Sequence, residues 1–414
     1  MNPYVYRGGE LHVEGVPLSR IAGEVGTPCY VYSRAALTHA YTSFTEAFRG
    51  RDHLVCYAVK ANSSLGVLDV FQRLGSGFDI VSSGELERVL AAGGDARKVV
   101  FSGVGKSAAA IRLALERGVL CLNVESESEL GRVDAIARER GVRAPVSLRV
   151  NPDVDAGTHP YIATGLKQNK FGIPHAQALP LYRRAQALAN VSIEGIDCHI
   201  GSQLTEIEPI AEALGKIAEL VERLAAEGIP LSHVDVGGGL GIRYQDERPP
   251  ALADYARAVT AAFPDPKLKL LFEPGRALTG NAGVLLTRVE YLKRGEGRNF
   301  AIVDAAMNDL MRPALYGAWH EILPVAEGGS ADTYDVVGPV CETGDFIARA
   351  RRFAAREGSL LAVMSAGAYA MCMASNYNSR PRAAEVMVDG DAIHVIRTRE
   401  EVRDLIARER RLPS

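Results

Sequence analysis

Reactive side chains follow several short apolar runs in the first two thirds of this 414-residue sequence. A lysine follows CYAV, a histidine lies in DCHIGSQ, and three successive glycines follow HVDV. The residues found at such positions are Lys60, Asp79, Arg149, Asn151, His199, Gly237, Gly238, Gly239 and Glu273. A single lysine or histidine after an apolar run is usually a solvated cap or part of a structural hydrogen bond. Six such runs with reactive residues at equivalent positions instead indicate one shared site.

The chemistry that these residue types share is that of a pyridoxal 5'-phosphate (PLP) site. A lysine such as Lys60 can form a Schiff base, and a histidine such as His199 can stack on an aromatic ring. A carboxylate such as Glu273, placed beside the pyridine nitrogen, keeps that nitrogen protonated and the ring able to accept electrons. Glycines at 237–239, and again at Gly275, let backbone N–H groups approach a phosphate closely.

Two other phosphate-binding motifs are each broken by a residue that is not the required glycine. The segment DVGGGLG is not G-x-G-x-x-G because position 242 is Ile, and it comes late in the chain, outside a first strand–helix–strand unit. The segment SGVGKS ends like a Walker A loop, but the first glycine of that motif would be position 100, which is Val. The sequence therefore favours neither a dinucleotide site nor a P-loop.

The elements that must position these residues are short apolar, β-branched runs, each followed by a helix-like segment. Eight of them occur, at 54–59, 78–81, 99–101, 119–124, 146–150, 193–200, 234–236 and 268–272. Gly93 and Gly94 are placed as a helix C-cap, and Ser126 with Glu129 has the form of a capping box. Eight strand–helix repeats predict an α/β fold, a TIM (β/α)8 barrel, with catalytic groups at the carboxyl ends of its strands. A doubly wound sheet with extra strands would give a similar pattern.

A second, mostly β region is predicted after Arg276. Strand-like runs without regular helices lie at 284–291, 300–303, 334–337, 360–364, 385–388 and 393–396. At the N-terminus, VYRGGELHV predicts a hairpin that turns at Gly8 and Gly9 and packs on this β region. We therefore predict a barrel over 27–277, and a β domain, sandwich-like or barrel-like, over 1–26 and 278–414.

Composition limits the class of protein and its partners. Apolar residues make up 47% and charged residues 23%, which excludes a disordered or fibrous chain. The net charge of −3 gives no basic field for nucleic acid or an anionic membrane. The six cysteines include no C-x-x-C pair, so neither a dense disulfide framework nor a zinc-finger metal site is expected. With no signal pattern and no long apolar run, we expect a cytoplasmic protein.

Segments along nearly the whole chain carry a family resemblance. The sequence resembles the alanine-racemase-like (fold type III) PLP-dependent decarboxylases in segments that run in the family's order. They are YAVKAN (57–62), FDIVSSGEL (78–86), FSGVGKS (101–107), CHIGSQ (198–203), DVGGGLGI (235–242), EPGRAL (273–278), MRPALYGAWH (311–320), GPVCETGDF (338–346) and GAYAMCMASNYNSRPRAAEV (367–386). The resemblance implies a TIM barrel with a C-terminal β domain, and a homodimer whose subunits share active sites.

The resemblance also implies a role for each matched position. Lys60 would be the Schiff-base lysine, His199 the residue that stacks on the ring, and Glu273 the partner of the pyridine nitrogen. Cys341 would be a proton donor that comes from the partner subunit. The other implied cofactor residues are Asp79, Arg149, Ser202, Gly237, Gly238, Gly239, Gly275, Arg276 and Tyr369.

Substrate choice is implied by a last group of residues. Arg276, Arg312 and Tyr316 match positions that bind a distal carboxylate, which an arginine can hold with two hydrogen bonds. Glu342 would bind a distal ammonium, and Tyr369 lies in a further matched segment. The expected reaction is decarboxylation of meso-2,6-diaminoheptanedioate to L-lysine and CO2, the last step of lysine biosynthesis. Decarboxylation of ornithine or arginine, a racemase and a PLP carrier protein are the alternatives.

Overall fold

The computed structural model describes residues 2–155 and 169–413. The chain divides into two compact units. One comprises Ala40–Ile242 and Glu247–Leu278, and the other comprises Met1–His39, Arg243–Asp246 and Thr279–Ser414. The predicted ranges, 27–277 for the barrel and 1–26 with 278–414 for the β domain, differ from these units mainly at 27–39 and 243–246.

The first unit is a closed barrel of eight strands that pair in parallel around a ring, and in the described residues a short ninth strand, Ile173–Pro174, pairs in parallel with the barrel strand Ala144–Asn151. The strands are β1 (His53–Ala58), β2 (Gly77–Ile80), β3 (Val99–Phe101), β4 (Cys121–Val124), β5 (Ala144–Asn151), β6 (Val191–Asp197), β7 (His233–Asp235) and β8 (Lys269–Phe272). Each pairs with the next, and β8 returns to β1 with Leu270 opposite His53. The eight predicted runs and the TIM barrel are confirmed, and the closed ring excludes a doubly wound sheet.

Helices precede, connect and follow the barrel strands, and two of them end or begin at signals predicted from the sequence. They are Arg34–Ala47, which begins in the other unit, Leu65–Arg73, Ser83–Ala91, Ala108–Arg117, Glu127–Arg140, His175–Gln186, Glu208–Ala226, Leu252–Ala262 and Arg276–Thr279. Gly93 has a φ of 83° and closes its helix as predicted. The Ser126 hydroxyl accepts from the Glu129 N–H at 3.2 Å, whereas the Glu129 carboxylate accepts from Glu125 N–H, one residue before the cap.

The second unit is mostly β, as predicted. Its main sheet has the hydrogen-bonded strand order Phe346–Ala354, Ala331–Val337, Asn299–Val303, Gly283–Arg294, Cys29–Ser33, Ala384–Asp389 and Ala392–Arg397. Two further strands extend from the fourth: Leu360–Val363 pairs with Gly283–Arg294, and Ile322–Pro324 pairs with Leu360–Val363. Its α-helices are Leu18–Val25, Arg312–Tyr316 and Val402–Ile406 in the described residues. The strand Cys29–Ser33 falls inside the predicted barrel range because only its distant partners, at 283–286 and 384–388, define it as a sheet strand.

The N-terminal hairpin pairs Tyr4–Arg7 with Glu10–Val13, and a short third strand, Val16–Pro17, completes its sheet. Gly8 and Gly9 form its turn with φ values of 59° and 82°, which glycine adopts without steric cost. The Leu11 N–H donates to the Val325 carbonyl at 2.7 Å, so the hairpin packs on the β unit as predicted. Across 2–155 and 169–413, no helix is long and apolar enough to span a bilayer.

Candidate active site

Lys60 and Asp79 form an ion pair at the ends of two neighbouring barrel strands. Lys60 lies in the single 3-10 turn Val59–Ala61 that follows β1, and Asp79 is the third residue of β2. The Lys60 Nζ donates to Asp79 Oδ2. The Asp79 side chain is fully buried, whereas that of Lys60 is 35% exposed. The sequence predicted both residues separately, and β1–β2 pairing brings them together.

Glu273 follows β8 and is buried at the same end of the barrel. Its N–H donates to the Gly237 carbonyl at 2.8 Å. Its Oε1 accepts from Ser102 Oγ at 3.2 Å and from Asn123 Nδ2 at 3.5 Å. Burial first, and then the neighbouring carboxyls, raise the pKa of Glu273 well above its ordinary value. Ser102 and Asn123 therefore hold one carboxyl oxygen of Glu273 in place. A cation bound beside this carboxyl would stabilise its ionised form.

His199 lies just after β6 and has a defined tautomer. The Gly238 N–H donates to its Nδ1 at 3.2 Å, so Nδ1 is unprotonated and Nε2 carries the hydrogen. Burial, followed by the charges of Arg149 and Lys60, lowers the pKa of His199 well below 6.5. The imidazole is therefore neutral, and a neutral ring can stack on another ring without adding charge to the site.

The glycine loop after β7 leaves no space for side chains. A Cβ on Gly237 would lie 2.4 Å from the Cys198 carbonyl, and one on Gly238 would lie 2.1 Å from the Glu273 carbonyl. A Cβ on Gly239 would lie 2.4 Å from the Gly201 carbonyl. Side-chain-free backbone is thus required where three barrel segments converge, which is the kind of cradle that a phosphate group needs.

Three further predicted residues lie beside this loop in the same unit. A Cβ on Gly275 would lie 2.9 Å from the Ala61 Cβ, next to Lys60. Arg276 is buried, and its Nη2 donates to Ser202 Oγ at 3.0 Å. The structure therefore joins Ser202 and Arg276 directly.

Arg149, on β5, is buried and faces two carboxylates. Its Nη1 lies 3.3 Å from Glu125 Oε1, and its Nε lies 3.8 Å from Asp197 Oδ2. Glu125 also accepts from the Gly103 and Gly172 N–H groups at 2.8 and 3.0 Å. Arg149 on β5 therefore links Glu125, directly after β4, to Asp197 at the end of β6.

Sequence reasoning missed five polar residues of this cluster. They are Ser102, Asn123, Glu125, Asp197 and Asp235. Each lies within or directly after a barrel strand, so the rule that found Lys60 and Glu273 could also have found them. Asn151, singled out with Arg149, ends β5 and accepts from the Asp153 N–H at 2.9 Å.

Cys341 and Glu342 lie in the β unit, in the segment CETGD. Cys341 is exposed, and its N–H donates to Asn378 Oδ1 at 3.1 Å. Glu342 Oε2 accepts from the Tyr377 hydroxyl at 2.9 Å. The segment is closed by Asp345, which accepts from the Val340 N–H at 2.8 Å and from a second backbone N–H at 2.6 Å. Asp345, Tyr377 and Asn378 were not predicted from the sequence as site residues, although all three fall in matched segments.

Arg312 begins the short helix Arg312–Tyr316 of the same unit and is buried. Its Nη1 donates to the Tyr244 hydroxyl, and its guanidinium lies 4.7 Å from the centre of the Tyr244 ring. Gly317, with a φ of 61°, ends the helix directly after Tyr316. Tyr369 is partly buried with a φ of 53°, a left-handed conformation that is uncommon for a tyrosine. Arg312 is therefore held in place, unlike a solvated surface charge.

The barrel residues fit PLP by their chemistry. The site offers an amine on Lys60, a buried carboxyl on Glu273, a neutral imidazole on His199 and a glycine cradle. Residues 34–280 match the family model described as "Pyridoxal-dependent decarboxylase, pyridoxal binding domain". The fold and the site thus define the class of the pyridoxal-dependent decarboxylases.

Similarity to individual proteins extends over the full chain. The diaminopimelate decarboxylase of Pseudomonas fluorescens is 60% identical over 100% of both chains. The crystal structure of diaminopimelate decarboxylase from Helicobacter pylori complexed with L-lysine is 43% identical, with a TM-score of 0.92 over 94% of this chain and 98% of that one. The enzyme from M. jannaschii in co-complex with L-lysine is 36% identical, with a TM-score of 0.95 over 100% and 98%. The chain belongs to the diaminopimelate decarboxylase family.

Proposed function

We propose that this protein is a PLP-dependent carboxy-lyase that converts meso-2,6-diaminoheptanedioate to L-lysine and CO2, the last step of lysine biosynthesis. The observation that carries the proposal is the 60% identity over both full chains with an enzyme named for this reaction. The barrel supports it with a lysine, a buried carboxyl and a glycine cradle at one end of the strands.

The cofactor would be held by residues of the barrel unit. Lys60 would bind it covalently, Glu273 would meet its ring nitrogen, and His199 would stack on its ring. The phosphate group would be held by Ser202, Gly237, Gly238, Gly239 and Gly275, beside Arg276, and the family resemblance implies a contribution from Tyr369. When bound, PLP supplies an electron-accepting ring next to the Cα–carboxylate bond of the substrate.

Proton handling around Lys60 depends on Asp79. A lysine attacks as a neutral amine, so its Nζ must lose a proton first. Asp79 Oδ2 already accepts a hydrogen bond from that Nζ. Asp79 thereby also orients the amine. Arg149 would support this arrangement as a buried cation that faces Glu125 and Asp197.

Cys341 is the proposed proton donor to Cα after CO2 has left. Cys341 is exposed in the segment CETGD, which suits a group that acts in the active site of another subunit. We propose that the protein is a homodimer in which Cys341 acts in the partner's site, as the family resemblance implies. The cytoplasmic location predicted from the sequence stays a prediction.

Selection of the substrate would depend on the charges at its far end. Arg312 and Arg276 would bind the distal carboxylate with Tyr316, and Glu342 would bind the distal ammonium. Because Arg312 is buried and held by Tyr244, its orientation is set before a substrate arrives. An amino acid without a distal carboxylate would not form these charge-assisted hydrogen bonds, so we expect it to bind more weakly.

A substrate panel tests the proposal directly. The purified protein, loaded with PLP, is assayed for CO2 release from meso-diaminoheptanedioate, ornithine and arginine, and for racemisation of alanine. We expect release from diaminoheptanedioate alone. A large preference for ornithine or arginine would overturn the substrate, and cofactor binding without any turnover would indicate a carrier protein.

Two substitutions test the residues. Cys341→Ala should lower kcat with little effect on KM, since the thiol acts in protonation and not in substrate binding. Arg312→Met should raise KM for diaminoheptanedioate at least about tenfold, given the strength of a bidentate carboxylate contact. Arg352→Met, on an exposed position of the strand Phe346–Ala354, is the matched control and should leave KM unchanged. An unchanged kcat in Cys341→Ala would remove the cysteine as the donor.

A further inference from the structure

The 3-10 turn Tyr377–Ser379 contains two successive residues that have a positive φ and are not glycine. Asn378 has a φ of 56° and a ψ of 27°, and Ser379 has a φ of 55°. Left-handed backbone is unfavourable for residues with a Cβ, although asparagine tolerates it better than most. Such conformations persist where surrounding contacts hold them, and they concentrate at functional sites. Of the matched segment 367–386, which contains this turn, the proposed function uses only Tyr369.

Side chains on both sides of the turn anchor it within the β unit. Asn376 Nδ2 donates to the Arg380 carbonyl at 3.0 Å and to Glu400 Oε2 at 2.8 Å. Arg380 Nε donates to Asn308 Oδ1 at 2.9 Å. The Asn308 carbonyl in turn accepts from the Ser375 N–H at 2.9 Å. The flanks of the turn are therefore fixed, and the residues between them have a rigid support.

The turn contacts the two residues of CETGD that the proposed function uses. Asn378 Oδ1 accepts from the Cys341 N–H at 3.1 Å. The Tyr377 hydroxyl donates to Glu342 Oε2 at 2.9 Å. Cys341 and Glu342 are both exposed, so packing in a core does not hold them in place. Two adjacent residues of the turn thus hold two adjacent residues of CETGD.

Other hydrogen bonds of CETGD close the loop on itself. The Glu342 N–H donates to the Val340 carbonyl at 2.8 Å, and the Asp345 N–H donates to the Glu342 carbonyl at 3.0 Å. Asp345 Oδ2 accepts from the Val340 N–H at 2.8 Å. The Cys341 N–H differs, because its acceptor on Asn378 lies 37 positions along the chain. The internal hydrogen bonds therefore set the shape of the loop, and the contact with Asn378 sets the place of Cys341.

We propose that Asn378 and Tyr377 are positioning residues: Asn378 fixes the backbone of Cys341, and Tyr377 fixes the carboxylate of Glu342. The inference rests on the proposed function, in which Cys341 protonates Cα and Glu342 binds the distal ammonium. Loss of the Asn378 contact should therefore impair protonation, whereas loss of the Tyr377 hydroxyl should weaken substrate binding. The hydrogen bond to Glu342, and then the charge of Glu342, raise the pKa of Tyr377, so the hydroxyl keeps its proton and remains a donor.

Amide hydrogen exchange of the apoenzyme tests the contact between Asn378 and Cys341. Selective 15N labelling of cysteine gives one amide signal for each of the six cysteines, and Cys341→Ala identifies the signal of Cys341. Glycine and aspartate both tolerate left-handed backbone at position 378, but only aspartate keeps the acceptor. The Cys341 amide should exchange about fivefold faster in Asn378→Gly than in wild type, and at about the wild-type rate in Asn378→Asp. Cys121, on β4 of the barrel, is the internal control, and its exchange should not change.

Steady-state kinetics with meso-diaminoheptanedioate show whether this contact acts in protonation. Asn378→Gly should lower kcat at least about tenfold and change KM by less than about twofold, and Asn378→Asp should restore most of the lost kcat. Ala350→Gly is the matched control, since Ala350 also has a positive φ, of 51°, in the strand Phe346–Ala354, and it should leave both constants unchanged. In a Cys341→Ala background, Asn378→Gly should lower kcat no further. An equal further loss would exclude action through Cys341.

Tyr377→Phe removes one hydroxyl and tests the contact with Glu342. KM for diaminoheptanedioate should rise about fivefold and kcat should change by less than about twofold, because Glu342 keeps its charge but loses the hydrogen bond that orients it. Tyr291→Phe, at an exposed tyrosine of the strand Gly283–Arg294, is the matched control and should leave KM unchanged. A role in loop stability alone would change kcat and KM alike in Tyr377→Phe and Asn378→Gly, and that result would overturn the assignment.

The outcomes distinguish this inference from the proposed function. Amide exchange uses neither cofactor nor substrate, so failure of the proposed reaction would leave its result unaffected. A Cys341 amide that exchanges at the wild-type rate in Asn378→Gly would overturn the role of Asn378, whatever the substrate. An unchanged KM in Tyr377→Phe would overturn the role of Tyr377.

Discussion

The contact between Gly238 and Glu273 gives the sharpest test of the glycine cradle. Gly238 does not have a positive φ, so alanine is compatible with its backbone conformation. The added Cβ, however, would lie 2.1 Å from the Glu273 carbonyl oxygen. An ordinary carbon–oxygen contact needs about 3.3 Å, so the two segments must separate by about 1.2 Å.

The cost of that separation can be worked from the contacts at the site. The hydrogen bond from the Glu273 N–H to the Gly237 carbonyl, at 2.8 Å, crosses the gap, and the one from the Gly238 N–H to His199 Nδ1, at 3.2 Å, holds the same loop to the segment after β6. Their loss costs about 1 kcal/mol each, and overpacking costs about 1–3 kcal/mol. Gly238→Ala should therefore lower the free energy of unfolding of the apoenzyme by about 3–5 kcal/mol.

Cofactor binding should fall as well, because Glu273 and His199 are both displaced. The assay is urea unfolding of the apoenzyme, followed by absorbance titration with PLP. Gly131→Ala is the matched control, since Gly131 lies within the helix Glu127–Arg140 with open space around it. That substitution should stabilise the protein by up to about 1 kcal/mol through helix propensity. Gly238→Ala with wild-type stability and wild-type PLP affinity would refute the steric argument.

Three further substitutions test other parts of the barrel. Lys60→Ala should abolish the absorbance of covalently bound cofactor and all turnover, and a wild-type rate would refute its role. Burial lowers the pKa of His233 from 6.5 to about 4, so the neutral imidazole contributes to stability above pH 6.5, and that contribution is lost as the pH falls to 4. In His233→Gln, the free energy of unfolding should therefore fall by about 3 kcal/mol less than in wild type between pH 6.5 and 4. Unfolding free energies with equal pH dependence in the two proteins would contradict this. Lys106→Met removes the cation that lies 2.8 Å from buried Glu129, and it should lower the free energy of unfolding in urea by about 3–5 kcal/mol. Lys267→Met, at an exposed position, is the control and should leave the free energy of unfolding unchanged. A similar decrease in both variants would contradict the assignment.

The barrel could be predicted from the sequence because its signals are local. A strand of a parallel sheet is buried on both faces, so it is visible as a short apolar run, and the run at 99–101 coincides with β3. The position of Lys60 directly after such a run then places it at the carboxyl end of the barrel. The hairpin turn at Gly8 and Gly9 was predictable for the same reason, since two adjacent glycines define it.

The β unit was less predictable, because its strands depend on distant partners. Cys29–Ser33 pairs with residues more than 250 positions away, and nothing in its own five residues shows that. The strand Phe346–Ala354 was missed because FIARARRFA carries three arginines, although the alternation buries Arg351 against a ring. Pairing across long sequence separations is not encoded in a local pattern.

The sequence by itself determined which residue types stand at the strand ends, and the family resemblance assigned them roles. Only the tertiary structure decided how they meet. Ser102 and Glu273 are 171 positions apart, yet barrel closure places their side chains in hydrogen-bond contact at 3.2 Å. The Asp235 and Glu273 carboxyls come within 4.8 Å of each other in the same way, from the neighbouring positions of β7 and β8. Hydrogen bonding and charge interaction depend on distances of a few ångströms and on burial, and both are properties of the folded chain.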